Sequence, residues 1–406
     1  MTDSTVNGGS IRQVNARAVL DVVWTGDVVT ASDIIEGTGL SRASAHDLCD
    51  QLMTSGWIRE VSGASAADSA RVGRPARRYT LQDRAGVVVG VEAGPGEIGA
   101  VVTDLRGREL SRRVVRSNGT LDGDRRVRLI KRALREALRS AAVPVADVLC
   151  LVIGVSAPVD AEGRTVLRHN PYWEAMNPDL VDRLRAHGQT VLVDNDVNLA
   201  ATAEAARGHA RGVRDHVTLM IDEGFGAAVV LGGQLLRGAH GATGEMRFLD
   251  HVDGVGSPSG IGALAVQLAR EELARPERTE SCLARVDAEN LDAATVLAAA
   301  GGGDLLALRV EAELAKRLTR VVATLATVLD PALVVLAGHI APHCERLRDA
   351  VQRGLPDYLE APRPRVEVSA LGGTMVTAGA VDRGIAHVRA SALELLPRQV
   401  TVAPQP

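Results

Sequence analysis

Arginines crowd one short stretch of this chain, Arg71-Val72-Gly73-Arg74-Pro75-Ala76-Arg77-Arg78. An arginine between glycine and proline, as Arg74 is, is held extended and suits a narrow, electronegative DNA minor groove, while Arg71 and Arg77 suit phosphates. Without a nucleic-acid partner the same run is only a solvated face, so its surroundings decide. Ahead of it lie Ser41, Arg42, Ser44, Ala45 and His46, residues suited to base edges in a major groove if a helix presents them. Farther along, Asp194-Asn195-Asp196 places two carboxylates and an amide where a helical pattern begins. Asp196 there meets either a ligand or only the helix that it caps. Three glycine-bearing stretches, Gly94-Pro95-Gly96, Gly224-Phe225-Gly226 and Gly338, follow or separate strand patterns. A backbone nest of that kind can cradle phosphate, yet each stretch alone is equally a turn.

The elements that must position these groups form two modules. Residues 1–10 read as a polar Gly/Ser tail. Ile11, Val14, Ala18, Val19 and Val22 then recur at helical spacing up to Trp24. Thr30 caps a second helix, and Asp33 completes a capping box. Gly37-Thr38-Gly39 breaks that helix, Leu40 plugs the core, and Ser41 caps a third helix reaching about Thr54. Trp57–Val61 and Arg78–Leu81 read as paired strands around the arginine loop. Three helices and a hairpin are the order of a winged helix-turn-helix, here over 11–85. The alternative is a three-helix interaction domain with no DNA role.

Past a polar joint at 82–86, strands alternate with helices. Strand patterns fall at Val87–Val91, Ile98–Thr103, Val148–Val155, Thr190–Val193, Val217–Ile221, Ala227–Leu231 and Leu333–Leu336. Helical patterns fall at Gly123–Ala142, after Asp196, and at Leu305–Leu329. This is an α/β architecture with partly parallel sheets over 86–395, followed by a proline-bearing tail at 396–406.

Composition narrows the classes. The 406 residues are 46% hydrophobic and carry a net charge of −4, which excludes wholesale disorder and a chain coated in nucleic acid. Arginines and acids nearly balance over residues 1–85, so the signal lies in clustering. Cys49, Cys150, Cys282 and Cys344 form no CxxC pair, which excludes zinc fingers and a secreted disulfide framework. No leader-like apolar segment and no span-length apolar run is present, so a soluble, cytoplasmic protein with no membrane partner is expected.

Several stretches are more specific in combination: GLSRASAHDLCDQLMTSGWI, VGRPARRYTL, VDNDVNLAATAEAARG, GFGAAVVLGGQLLRGAHGATGE and LDPALVVLAG. Over roughly residues 12–390 the chain resembles the ROK family (repressors, open reading frames, kinases), in its regulator branch. The resemblance implies a two-lobed actin-like, ribonuclease-H-like domain with a sugar site in its cleft. Family kinases phosphorylate sugars there, and family repressors sense them. It makes Asp196 the counterpart of the kinase general base, and Asn195 and Glu245 counterparts of sugar contacts.

Departures from the family pattern shape the expectation. The kinases' Asp-x-Gly-Gly-Thr phosphate loop is Glu92-Ala93-Gly94-Pro95-Gly96 here, so a backbone donor and a hydroxyl are gone. Gly94, Gly96, Gly224, Gly226 and Gly338 therefore read as degenerate phosphate loops, with neither ATP nor catalysis expected. Phe248, Gly256, Pro258 and Ala263 stand where the family has the His and three Cys of a zinc loop, and Ala265 replaces a sugar-contacting Glu. No metal is expected. His251 and Asp253 read as surface residues. The few aromatics (2%) leave little surface for stacking on sugar rings.

The expected protein is a transcriptional repressor on a double-stranded, pseudo-palindromic operator, acting as a homodimer or homotetramer. Its effector is a small molecule, a sugar or a derivative. Two alternatives stand beside it: an ATP-dependent sugar kinase with a fused DNA-binding domain, and a ligand-independent regulator whose cleft has decayed.

Overall fold

Capping chemistry sets the N-terminal module. Helix α1 (Ser4–Thr25) leads through β1 (Val29–Thr30) to α2 (Ala31–Thr38), whose N-cap Thr30 and N3 residue Asp33 exchange both hydrogen bonds of a capping box. Gly39 stops α2 in the left-handed region, at φ +69°, and Ser41 caps α3 (Arg42–Thr54). Strands β2 (Ile58–Glu60) and β3 (Arg78–Leu81) pair antiparallel, and β1 joins them in the order β1-β3-β2. The computed structural model describes residues 4–61, 77–116, 122–166, 170–275 and 280–395, with side chains from Ile11 onward. The expected tail at 1–10 is corrected: α1 starts at Ser4. Apolar periodicity marks a buried face, whereas helical hydrogen bonding propagates past it.

The remaining chain makes two lobes with the same strand order. In the first, β4 (Val87–Ala93), β5 (Glu97–Thr103) and β6 (Glu109–Arg116) form an antiparallel meander. Helix α4 (Gly123–Ser140) crosses to β7 (Val148–Val155), and α5 (Pro171–Met176) and α6 (Leu180–Leu184) lead to β8 (Thr190–Asn195) and α7 (Asp196–Arg207). Strands β7 and β8 lie parallel to β4, giving β6-β5-β4-β7-β8. The second lobe repeats this with β9 (His216–Met220), β10 (Gly226–Leu231) and β11 (Gln234–Leu235). Helices α8 (Ile261–Leu273), α9 (Ala293–Gly301) and α10 (Leu305–Leu329) precede β12 (Leu333–Ala337), α11 (Glu345–Gly354) and β13 (Arg365–Val368), and the order is β11-β10-β9-β12-β13. Every residue of β7 and β12 is buried, as parallel strands covered on both faces require.

Helix α12 (Met375–Ser391) returns from the second lobe to cover β4, β7 and α7 of the first. Its far end joins a core shared with the N-terminal module, where Val388 and Ala392 lie in one apolar cluster with Trp57, Tyr79, Leu81, Leu105 and Leu149. Two arginines fasten the same boundary. Arg106 donates to Asp83 at 2.9 Å and to the carbonyls of Trp24 and Gly26 at 3.0 and 2.8 Å. Arg389 of α12 donates to Asp21 of α1 at 2.5 Å.

Candidate functional site

The Asp-Asn-Asp turn sits where β8 gives way to α7. Asn195 is the helix cap: its Oδ1 accepts from the Val197 N–H at 2.9 Å, and its Nδ2 donates to the Ala157 carbonyl at 3.0 Å. Asp196 shares that N–H, its Oδ1 accepting from Val197 at 2.7 Å, and its other oxygen faces away from the helix end. Its Oδ2 accepts from the Ser156 hydroxyl at 2.5 Å, and burial pushes its carboxyl above the ordinary range. Glu245 comes from the other lobe and bridges to Gly226 of β10. Gly244 sets that approach, since a Cβ there would fall 1.6 Å from the Ala227 carbonyl oxygen. Glu245 is pushed up to about 7 by burial and then by the nearby Asp196 charge. Asn195, Asp196 and Glu245 therefore meet across the lobes. Tyr172 of α5 stands near them: burial and then the Asp196 charge push its phenol above the ordinary range.

At two of the three glycine loops a charged side chain of this chain meets the backbone: Asp222 at Gly338 and Arg126 at Gly94. Asp222, just after β9, accepts from the N–H groups of His339 and Ile340 at 2.9 and 3.1 Å and lies 3.3 Å from His339 Nδ1. Gly338, at φ +128°, makes room for it, because a Cβ would lie 2.5 Å from an Asp222 oxygen. The Asp222 hydrogen bond raises His339 to about 9. Across the cleft, Glu92 of β4 is raised to about 7 by burial, with the His339 charge opposing. At the first loop, buried Arg126 of α4 donates to the Ala93 and Gly94 carbonyls, and burial lowers it to about 10. Gly224 bridges Ser259, Gly226 bridges Glu245, and Gly96 is open to solvent.

One buried carboxylate ties these parts together. Asp194, 1% exposed, meets Arg237 at 2.6 Å and Arg383 of α12 as well. Sequence reading names Asp194 and Arg237 only within motifs, and it misses Ser156, Tyr172, Arg126, Asp222, His339 and Arg383 as members of the site.

A family model for the ROK family matches residues 88–383. The chain belongs to the ROK family. A second model, the IclR helix-turn-helix domain, matches residues 14–62. The xylose repressor of Caldicellulosiruptor bescii is 22% identical over 386 residues, covering 91% of this chain and 95% of that protein. A glucokinase of Streptomyces coelicolor is 27% identical over 315 residues, covering 73% of this chain and 97% of its own. Among solved structures, a ROK family transcriptional regulator, a homolog of the E. coli MLC protein, superposes with a TM-score of 0.70 at 21% identity. It covers 92% of this chain and 96% of that chain, and it shares the fold.

The helix-turn-helix of this ROK chain presents part of the expected DNA face. Ser41, Arg42 and Ser44 are exposed at the start of α3, and His46 is half-buried beside them. Ser41 also accepts from the Ser44 N–H at 3.2 Å. Ala45 is corrected: it turns inward, 1% exposed, because it shares the core-facing side of α3 with Leu48, Cys49 and Leu52. Arg71 and Arg74 lie outside the described residues. Arg77 is engaged within the module, at 2.9 Å from Asp50 and 3.0 Å from Glu60, with its guanidinium over the Tyr79 ring. It ties α3 to the hairpin instead of standing free for phosphate.

The positions that the resemblance gives to a zinc loop carry other side chains here. Gly256, Pro258, Ala263 and Phe248 supply no thiolate or imidazole at the matching positions. Among the described residues no group of three His, Cys, Asp or Glu side chains is placed to hold a metal. Among them, too, no single helix is long and apolar enough to cross a membrane.

Proposed function

We propose that this ROK protein is a sequence-specific DNA-binding repressor whose lobes sense a sugar-type small molecule and transfer no phosphate. The observation that carries the reading is the joint between the modules. The helix-turn-helix shares a core with the first lobe, and α12 reaches from Asp194 at the cleft to Asp21 in α1. A change in lobe angle thus has a packed route to the DNA-binding helices. The names of the xylose repressor and of the MLC homolog speak for the same function in this chain.

In this reading Arg42, Ser44 and His46 meet base edges, Ser41 orients the helix, and Arg71 and Arg74 contact the backbone or minor groove. Asp196 and Glu245 accept hydrogen bonds from ligand hydroxyls, while Asn195 fixes the turn that aims Asp196. A ligand shifts operator affinity only by its differential affinity for the two lobe angles. A two-fold homo-oligomer then reads a pseudo-palindromic site.

The kinase reading draws on Asp196, whose position suits a general base. Against it stands Asp222, whose carboxylate already takes the N–H donors of His339 and Ile340 at the Gly338 loop, so they are not open to a phosphate. Binding selection on genomic DNA fragments, followed by release with a panel of sugars and a coupled ATPase assay, tests the proposal. Enrichment of a pseudo-palindrome, its release by a sugar and no sugar-dependent turnover are expected. No enrichment, or turnover abolished by Asp196→Asn, overturns it.

A further inference from the structure

The 252–260 loop has little apolar body, and its carbonyls converge on one side chain. Arg317, in the middle of α10, donates to the Val255 carbonyl, to the Ser257 carbonyl at 2.6 Å, to Ser257 Oγ at 2.9 Å and to the Ser259 carbonyl at 3.4 Å. Arg320, on the next turn, donates to the Gly254 carbonyl at 3.2 Å. A planar guanidinium offers five donors in fixed directions, so it can gather several carbonyls as a metal gathers ligands.

What the loop holds in turn is the cleft. The Phe225 N–H donates to the Pro258 carbonyl at 2.9 Å, the Gly260 N–H donates to the Glu223 carbonyl at 2.9 Å, and Ser259 bridges Gly224. Gly226, next along that strand, bridges Glu245. Hydrogen bonds and the short backbone steps between them therefore lead from α10 through the loop and residues 223–226 to the backbone of Glu245, whose carboxyl belongs to the cleft. The side chains at the positions that the resemblance gives to metal ligands on this loop, Gly256, Pro258 and Ala263, offer no ligand atom.

We propose that Arg317 is a positioning residue, whose guanidinium braces the 252–260 loop and thereby seats Glu245 without any metal. The proposal rests on Glu245 belonging to the cleft and is independent of DNA binding. It is a substitution in kind: directional N–H donors to carbonyls replace metal–ligand bonds.

Hydrogen exchange on the full chain tests this without an effector. Arg317→Met is expected to speed exchange by about tenfold or more at residues 252–260 and at the Phe225 and Ala227 amides, the loss of charge-assisted bonds. Strands β4 and β7 should keep their protection. Arg317→Lys should restore part of it, and Arg309→Met on the same helix should change nothing at 223–227. EDTA or added zinc should leave the wild-type loop as it was. Loosening of that loop by EDTA, or unchanged exchange at Phe225 in Arg317→Met, overturns the proposal. If Arg317→Met does not fold, the same amides in Arg317→Lys decide it, with wild-type protection there counting against the brace. Because no arm reads DNA or sugar binding, failure here is separable from failure of the repressor reading.

Discussion

Arg237 grips the Asp194 carboxylate with both terminal nitrogens, Nη1 to Oδ1 at 2.6 Å and Nη2 to Oδ2 at 2.7 Å. The two residues come from different lobes, and Arg383 of α12 meets the same carboxylate. Removing the charge leaves two half-buried guanidinium groups facing a neutral amide. Asp194→Asn is therefore expected to lower stability by about 3 kcal/mol, the scale for breaking a buried pair. Urea unfolding of wild type and variant measures it, and coincident midpoints would show the lobes to be held elsewhere.

Arg106 is the corresponding fastener between the first lobe and the N-terminal module. Its bonds to the Trp24 and Gly26 carbonyls are charge-assisted and little exposed, a class worth about 1.5–3 kcal/mol each. In Arg106→Ala the helix-turn-helix should melt as a separate, earlier calorimetric transition. A single transition at the wild-type temperature would show that the shared apolar cluster alone couples the modules.

The arginines of the DNA-binding module should divide by role. Arg42→Ala and His46→Ala should alter sequence preference, since Arg42 is exposed and His46 half-exposed in the first turns of α3. Arg77→Ala should lower the melting temperature while leaving the salt slope of binding nearly intact, because Asp50 and Glu60 already hold its guanidinium. Anisotropy titrations over a salt series distinguish the outcomes. A slope reduced by about one in Arg77→Ala would return that residue to the DNA backbone.

Stability should fall as pH rises through the cleft's titration range. Glu245 and Glu92 both bind a proton more tightly folded than unfolded, rising from 4.5 to about 7. Their contribution is complete below about 4.5 and is lost as pH climbs through 7, while that of His339 persists toward 9. Glu245→Gln should flatten the decline between about 4.5 and 7. Denaturant midpoints across that range check it, and an unchanged slope would mean that Glu245 ionises freely in the fold.

Local chemistry is what the sequence makes legible. The capping box of Thr30 and Asp33, the helix stop at Gly39 and the cap at Ser41 depend on neighbours a few residues away. The meeting of Asn195, Asp196 and Glu245 is legible only through the family resemblance. The partners of Asp222, Asp194 and Arg77 are illegible because each lies far along the chain, and a charge carries no mark of which distant charge it will meet. Ala45 misleads because a small apolar residue suits either face of a helix. Helix α12 escapes periodicity because it is buried on several sides and so has no single apolar stripe.

The position of α12 in the chain has a consequence for biogenesis. This helix covers β4 and β7 and presents both Arg383 to the cleft and Arg389 to α1. The first-synthesised module thus receives its final anchorage from a late-synthesised segment. Until residues 375–391 leave the ribosome, the first lobe keeps an open apolar face, a state in which nascent chains draw chaperones or misassociate. A polypeptide ending before Met375 would be no smaller regulator, only an unfinished one, and premature termination there should yield insoluble product while sparing the order of every earlier strand in the sequence.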